Sequence, residues 1–327
     1  MAAEGSNFVR KYTGEMIPIV RFTYTGADGE VIPREATHIF VEARKVRAEA
    51  FQYHRCIVEV ICHEIVEKIE QDAFRLCPSL KRVIIRGVKV VEENAFEACN
   101  ALEYVECDKL VIVGRHAFRD CGSSLRSINL PSARTVRMSA FSSCYVLANV
   151  KFGSKLERIE EMALSNCDSL ERITIPLKNG LITRDDVFIG CDNLRQVDLI
   201  GGELHETVTA FHLEEWRNDM NREIDSINHL LPNAAAGGFG YGFDATDPGE
   251  KAQTIRRWIR SVLRKIIDYQ EEHRRLLEQD VATTLQLVLS NSDIVMNNVL
   301  PFLELPSYTF DVGDDDEEDT DSSDDEE

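Results

Sequence analysis

The chain has 327 residues, 43% of them hydrophobic and 29% charged, which is the balance of an ordinary soluble protein and long enough for a repeat array plus a second module. Its 57 acids against 37 bases leave a formal charge of −20. No apolar run approaches the roughly 18 residues that span a bilayer, and Met1-Ala-Ala-Glu-Gly-Ser6 lacks the basic-then-apolar start of a secretory leader, so the expectation is an intracellular protein, cytoplasmic or nuclear, with no membrane contact.

Residues 1–16 are polar and read as a flexible leader. Ile17 to Tyr24 alternates, Ala27-Asp28-Gly29 offers a turn, and Thr37 to Val41 alternates again, the pattern of a hairpin or strand pair. Residues 17–49 are expected to form a short N-terminal β cap over the repeat segment that begins at Ala50.

From 50 to 202 one phrase returns seven times. It appears as Ala50-Phe51, Ala73-Phe74, Ala95-Phe96, Ala117-Phe118, Ala140-Phe141, Ala163-Leu164 and Val187-Phe188, with steps of 22–24 residues. Three residues after the aromatic stand Cys77, Cys99, Cys121, Cys144, Cys167 and Cys191, with His54 in the first unit. A Leu or Ile comes next, then a pair at alternate spacing, such as Val83/Ile85 or Ile173/Ile175, which places two side chains on one face of a short strand. Another apolar residue precedes each Ala by four, as in Val46, Ile69, Val91, Val113, Val136 and Ile159. A fixed period in the twenties is the mark of a solenoid, whose turns bury their apolar faces only against one another. Ala-Phe-x-x-Cys is then a helical or turn-like corner. Eight of the nine cysteines fall in interior slots, leaving Cys56 aside; in a reducing compartment they act as small buried hydrophobes.

The pattern A-F-x-x-C-x-x-L-x-x-V-x-I resembles the BspA-like (Treponema-type) leucine-rich repeats over about half of the chain. His54 in the Cys slot, Leu164 in the Phe slot and a strand-closing Pro only at Pro131 and Pro176 depart from that pattern. The resemblance implies a curved solenoid that binds other macromolecules and carries no catalytic residues.

Residues 203–306 read as a helical module. Leu204, Val208, Phe211, Trp216, Met220, Ile224, Ile227 and Leu231 form one stripe on a single helix of about eight turns, ended by Pro232. Residues 232–247 form a Gly-rich loop. Asp247-Pro248-Gly249-Glu250 opens a second helix with Ile255, Ile259, Val262, Ile266, Tyr269 and Leu276 as its stripe, running to about Leu289. Acids dominate the first helix, and bases from Lys251 to Arg275 the second, so the two are expected to pair as an antiparallel hairpin. This segment resembles one that comes after such repeats in some diatom leucine-rich repeat proteins. Residues 307–327 are read as a disordered acidic tail: from Asp311 to Glu327 there are 12 acids and no base, too dense a charge to pack. Ser322 and Ser323 stand directly before four acids and are candidate sites for acidophilic kinases of the casein kinase type.

Several tempting motifs have plainer readings. His54, Cys56, Cys62 and His63 have the composition of a zinc site, yet His54 and Cys62 occupy core slots. The glycines at 237–242 have no strand before them and no Gly-Lys-Ser/Thr after them, so they read as a linker. The basic stretch Arg256 to Lys265 with Trp258 has the look of a nucleic-acid, membrane or calmodulin-type helix, which pairing with the acidic helix explains. No Ser, His and Asp share a nucleophile-bearing turn. No enzyme activity, cofactor or metal is expected.

Function is therefore sought on a surface. Equivalent positions of successive strands stack at about 4.8 Å, giving outward columns Glu59, Arg82, Tyr104, Ser127, Asn149, Arg172, Gln196 and Ile61, Ile84, Glu106, Asn129, Lys151, Thr174, Asp198. These rows hold no single-sign stripe to grip phosphates, which disfavours nucleic acid. They suit a protein partner, and the candidate partner-binding residues are Arg82, Ile84, Tyr104, Glu106, Asn129, Asn149, Lys151 and Arg172; the plain alternative is a merely solvated face. The expected function is a non-catalytic intracellular scaffold or adaptor. The alternative reading makes the tail the active part, binding histones or other basic proteins electrostatically, since repeats plus acidic tail resemble the plan of the acidic leucine-rich nuclear phosphoproteins.

Overall fold

The structure is a computed structural model and describes residues 8–11, 13–121, 124–200, 203–211, 213–239, 246–247 and 249–290. Each repeat is one turn of a solenoid, and each of the first six turns contributes a longer and a shorter strand to two parallel layers. The longer strand is the alternating pair: Glu59–Cys62, Arg82–Ile84, Tyr104–Glu106, Ser127–Leu130, Asn149–Phe152, Arg172–Ile175 and Gln196–Leu199. The apolar residue ahead of each Ala lies in a second, two-residue strand, and Lys45–Val46, Lys68–Ile69, Val90–Val91, Ile112–Val113, Thr135–Val136 and Arg158–Ile159 form an unbroken six-stranded sheet. Sequence spacing marked those residues as buried without showing that they pair.

The Ala-Phe corner is turn-like in the first six units, and in the seventh it is a 3-10 helical turn, Asp185–Phe188. Two residues per turn, Asp72 and Leu76 or Asn94 and Ala98 for example, adopt left-handed φ between 53° and 57°. That conformation costs roughly 1–2 kcal/mol per non-glycine residue. It is held by hydrogen bonds between turns: the N–H groups of Asp72, Phe74 and Leu76 donate to the carbonyls of Glu93, Ala95 and Glu97. Inside the corner the rings of Phe51, Phe74, Phe96, Phe118 and Phe141 form a parallel stack with centroid spacings of 4.8, 5.2, 5.2 and 5.3 Å. The stack stops where Leu164 replaces the ring.

The cysteines do more than fill space. The six thiols that follow the aromatic by three residues each donate to the carbonyl of the corner residue one turn earlier: Cys77 to Phe51, Cys99 to Phe74, Cys121 to Phe96, Cys144 to Phe118, Cys167 to Phe141 and Cys191 to Leu164, at 2.9–3.2 Å. The Phe51, Phe96, Phe118 and Phe141 carbonyls already accept the backbone N–H three residues on, and the thiol adds a second donor small enough for the buried slot. His54 keeps that logic, because its Nε2 lies 2.9 Å from the Pro33 carbonyl of the preceding stretch.

Of the two expectations for the N-terminus, the hairpin or strand pair is narrowed to a strand pair, and the flexible leader is corrected. Arg21–Tyr24 and His38–Val41 are strands, but they pair in parallel with each other, and His38–Val41 pairs in parallel with Glu59–Cys62. They are therefore not a hairpin; they extend the long-strand sheet by two members, and Tyr24 packs edge-on against Phe51 at 5.2 Å. Alternation in a strand does not encode the direction of its neighbour. The leader is not uniformly without structure either, for Phe8–Arg10 pairs antiparallel with Met16–Pro18.

The long-strand sheet divides into a five-stranded part from Arg21 to Glu106 and a four-stranded part from Ser127 to Leu199. The break coincides with a change of spacing in the sequence. Cys121 is followed by its Leu at position 125, four residues on, whereas the other repeats take three, as in Cys99 to Leu102. The extra residue falls between the last strand of the first part and the first strand of the second.

Beyond the repeats, the single first helix is corrected to two, α1 (Glu203–Thr209) and α2 (Glu214–Leu230). Thr207, Val208 and Thr209 are poor helix formers, and Phe211 leaves the axis to pack against Trp216 and Tyr269 at 6.4 and 5.6 Å. The Arg217 side chain donates to the Phe211 carbonyl at 2.7 Å and closes the break. The second helix, α3 (Lys251–Ser290), lies antiparallel to α2. Tyr269 donates to Asp219 at 2.6 Å, and the Trp258 indole N–H to the Glu223 carbonyl at 3.0 Å. Between the two helices, Gly238–Phe239 pairs antiparallel with Thr246–Asp247.

This pair of helices covers the last turn. Lys251, 1% exposed, donates to the carbonyls of Leu194 and Leu231 at 2.8 and 3.3 Å. Arg256 pairs with Asp185, Gln253 donates to the same carboxylate at 2.8 Å, and the Asn228 side chain accepts the Val197 N–H at 3.1 Å. Met220, Ile227, Ile255, Ile259, Val262 and Ile266 join one apolar core with the repeats. The segment 291–306, the tail, Ser322 and Ser323 lie outside the described residues.

Candidate partner-binding surface

The ladder register places the outward columns as the alternation predicts. Glu59 stands opposite Arg82 and Arg82 opposite Tyr104, with Ile61, Ile84 and Glu106 in the next column. Across the break, Ser127, Asn149, Arg172 and Gln196 align, as do Asn129, Lys151, Thr174 and Asp198. The eight candidate residues therefore fall into two groups of four on neighbouring parts of the same face.

The first group is organised by its own charges. His38 Nε2 lies 3.8 Å from Glu59, and Glu59 lies 3.4 Å from Arg82. The Arg82 guanidinium sits 5.6 Å from the Tyr104 ring centroid, within cation–π range. The Tyr104 hydroxyl donates to Glu106 at 3.4 Å, and Glu106 also pairs with Arg86. The Arg86 hydrogen bond holds the Glu106 carboxyl below its usual range, with the Arg86 charge and Tyr104 acting in the same sense. Tyr104 is 46% exposed, so the chain of contacts fixes an aromatic ring while leaving it open to solvent. Such a ring loses little side-chain entropy when a partner covers it.

Two residues of this surface escape a reading of the sequence. His38 and Phe40 stand in register with Glu59 and Ile61, and Phe40, Ile61 and Ile84 form a half-buried apolar row. Their period-two alternation is visible; reading 17–49 as a separate cap hides that they continue the repeat sheet.

The second group lines a groove of about 680 Å3, whose walls include Asn129, Asn149, Lys151, Arg172 and Asp198. Arg172 donates to Gln196 at 2.7 Å and lies 3.5 Å from Asp198, and Gln196 donates to Asp198 at 2.9 Å. Lys151 has no carboxylate partner among the described residues. Gly153 closes one end of the groove against the Pro131 carbonyl, where any Cβ would stand 1.9 Å from that oxygen. The result is a polar trough with one unpaired cation, one oriented guanidinium and two exposed amides.

The other sequence features fall elsewhere. Cys62 points inward, the His54 ring is turned to Pro33, and exposed His63 accepts the Ile65 N–H at its Nδ1; among the described residues no three His, Cys, Asp or Glu side chains are grouped to hold a metal. Burial pushes the Cys62, Cys99, Cys107 and Cys144 thiols up to about 12, which leaves them poor nucleophiles. No helix among the described residues is long and apolar enough to cross a membrane.

The model of the BspA-type leucine-rich repeat region matches six copies, over residues 44–133 and 111–212. This chain belongs to the BspA-type leucine-rich repeat family. No curated protein matches the chain. Among solved structures, a leucine-rich repeat protein of T. pallidum is similar over 58% of this chain and 78% of that chain, at 21% identity and a TM-score of 0.37. One from Bacteroides ovatus is similar over 59% and 67%, at 19% identity and a TM-score of 0.31. A leucine-rich cell-surface protein of Faecalibacterium prausnitzii is similar over 61% and 88%, at 14% identity and a TM-score of 0.24. As a BspA-type repeat protein, this chain is of the kind suited to protein interaction or adhesion.

Proposed function

We propose that the protein is a non-catalytic scaffold or adaptor that binds a partner protein on the outward face of its long-strand sheet. The observation that carries this reading is the register that aligns Arg82, Ile84, Tyr104 and Glu106 beside the groove lined by Asn129, Asn149, Lys151 and Arg172. Aromatic and Arg side chains held rigidly at an otherwise mixed surface are the usual anchors of a protein interface. The unpaired Lys151 favours a partner segment with an acidic side chain over the groove. The buried, unbridged thiols support a reducing, intracellular setting. The helical module completes the solenoid, so its docking on the last turn leaves the sheet face open.

The test is affinity capture from cell extract with four forms of the chain: the native sequence, Tyr104→Ala/Lys151→Glu/Arg172→Ala, a control carrying Lys109→Glu away from the sheet face, and the chain with residues 311–327 deleted. Partners retained by the native and control chains and lost by the triple variant support the reading. Capture unchanged by the triple variant refutes it, and partners that vanish only when residues 311–327 are deleted establish the acidic-tail reading in its place.

A further inference from the structure

The basic stretch of α3 is only partly used by the packing that was expected to consume it. Lys265 lies 2.7 Å from Asp219 and 3.4 Å from Glu223 of α2, and Arg256 is committed to Asp185 of the solenoid. Arg257, Arg260 and Arg264 are exposed and have no ion-pair partner among the described residues. Their spacing of three and four puts them on one face of the helix. They line an open trough of about 390 Å3 that also holds Ser261 and is bordered by Glu223 and Asp268. Of these two acids, Glu223 is already engaged by Lys265, so the trough keeps a net positive wall. Three guanidiniums in a row with a hydroxyl between them form a receptor for carboxylates, because each fork can hold both oxygens of one group.

We propose that the acidic segment 311–327 of this same chain docks in that trough. The chain carries its own complement: 12 acids and no base in 17 residues. Reach is sufficient. Arg257 lies 33 residues before the end of α3 at Ser290, about 50 Å along the helix at 1.5 Å per residue. The 20 residues from 291 to 310 can span up to about 66 Å. Tethering gives the segment an effective concentration that a free acidic peptide at micromolar levels does not match, so the segment on the same chain is the favoured occupant. Docking neutralises the basic face of α3 and sets up a competition: a basic partner of the tail, or an anionic partner of α3, must displace one from the other. Phosphorylation at Ser322 or Ser323 adds about −1.5 to −2 charges per site and strengthens the contact. This inference stands independently of the sheet-face reading, whose variants lie on other turns.

The test places a photo-crosslinking amino acid at Thr320 in the full-length chain and maps the adducts by mass spectrometry. At low salt, about 0.05 M, the expected adducts are intramolecular and fall between 254 and 268; at about 0.5 M salt, where screening is short-ranged, their yield drops about fivefold or more. Arg257→Glu/Arg260→Glu/Arg264→Glu abolishes them. Because those side chains are exposed, far-ultraviolet circular dichroism of that variant should match the native chain. As a second route that leaves α3 untouched, Asp314→Asn/Asp315→Asn/Asp316→Asn lowers the yield. Adducts scattered over the repeats, adducts confined to a dimer band, or a yield indifferent to salt and to both variants overturns the proposal.

Discussion

Replacing Phe96 by Ala tests the repeat core where its packing is most continuous. The ring is fully buried and stacks on both sides, with centroids 5.2 Å from Phe74 and 5.2 Å from Phe118. Deleting a buried Phe costs about 3–5 kcal/mol, and each aromatic pair contributes about 0.5–1.5 kcal/mol beyond its burial. Two lost pairs put Phe96→Ala near the top of that range. Phe141 supplies the internal comparison, because among the described residues its one ring partner is Phe118, at 5.3 Å, and the next unit has Leu164 in place of the ring. Phe141→Ala should therefore be milder than Phe96→Ala by about 0.5–1.5 kcal/mol, while Asn129→Ala on the outward column stays within about 0.5 kcal/mol of the native chain. Urea unfolding followed by circular dichroism measures all three, and a lesion in a middle turn should also broaden the transition, since turns couple only to their neighbours. Equal costs for Phe96→Ala and Asn129→Ala, or a costlier Phe141→Ala, would refute the assignment of slots.

Lys251→Ala leaves the Leu194 and Leu231 carbonyls without their buried donor; a loss of about 1–3 kcal/mol is expected, read as faster amide exchange in α3 and in Gln196–Leu199, and unchanged exchange there would contradict the docking role. Stability should fall on acidification from pH 7.5 towards 5.5, because burial holds the pKa values of His38, His54 and His116 below the ordinary 6.5. A base with a depressed folded pKa is protonated more readily in the unfolded chain, so stability is lost as pH drops through about 6.5; His54→Gln should flatten part of that slope in urea midpoints measured across the range, and a steeper slope would count against it. The cysteines should be reduced throughout, with half-exposed Cys56 reacting first in the native state and the slot thiols waiting on unfolding; rapid labelling of more than two or three thiols contradicts the slot assignment.

The repeats were legible because each slot restricts its residue in a different way. Phe and Ala are confined by space, Leu and the strand pairs by burial, and the period survives substitutions such as His54. The reason for Cys in its slot was not legible. A donor to the preceding corner carbonyl becomes visible only when two turns are stacked. The same holds for Lys45–Val46 and its kin, where two residues show no alternation to read. Strand direction at the N-terminus and the break at Phe211 depend on packing partners far along the chain, Glu59–Cys62 in one case and Tyr269 in the other. The outward columns came from alternation alone. The groove did not, because it depends on how the second part of the sheet is set after the extra residue between Cys121 and Leu125. The charge pattern of α2 and α3 identified the right neighbours and overcounted the pairs, since Lys265 alone among the bases of α3 reaches α2 carboxylates among the described residues.

Hydroxyl-radical footprinting of the full-length chain, alone and with its captured partner, tests the sheet-face account most directly, because the oxidised side chains report coverage residue by residue. The account predicts protection at Phe40, Ile84, Tyr104 and Lys151, with Tyr53 and Tyr145, which are 59% and 49% exposed away from the long strands, remaining as reactive as in the free chain. Protection confined to Tyr53, Tyr145 or the exposed face of α3, with Tyr104 and Ile84 unchanged, would contradict it.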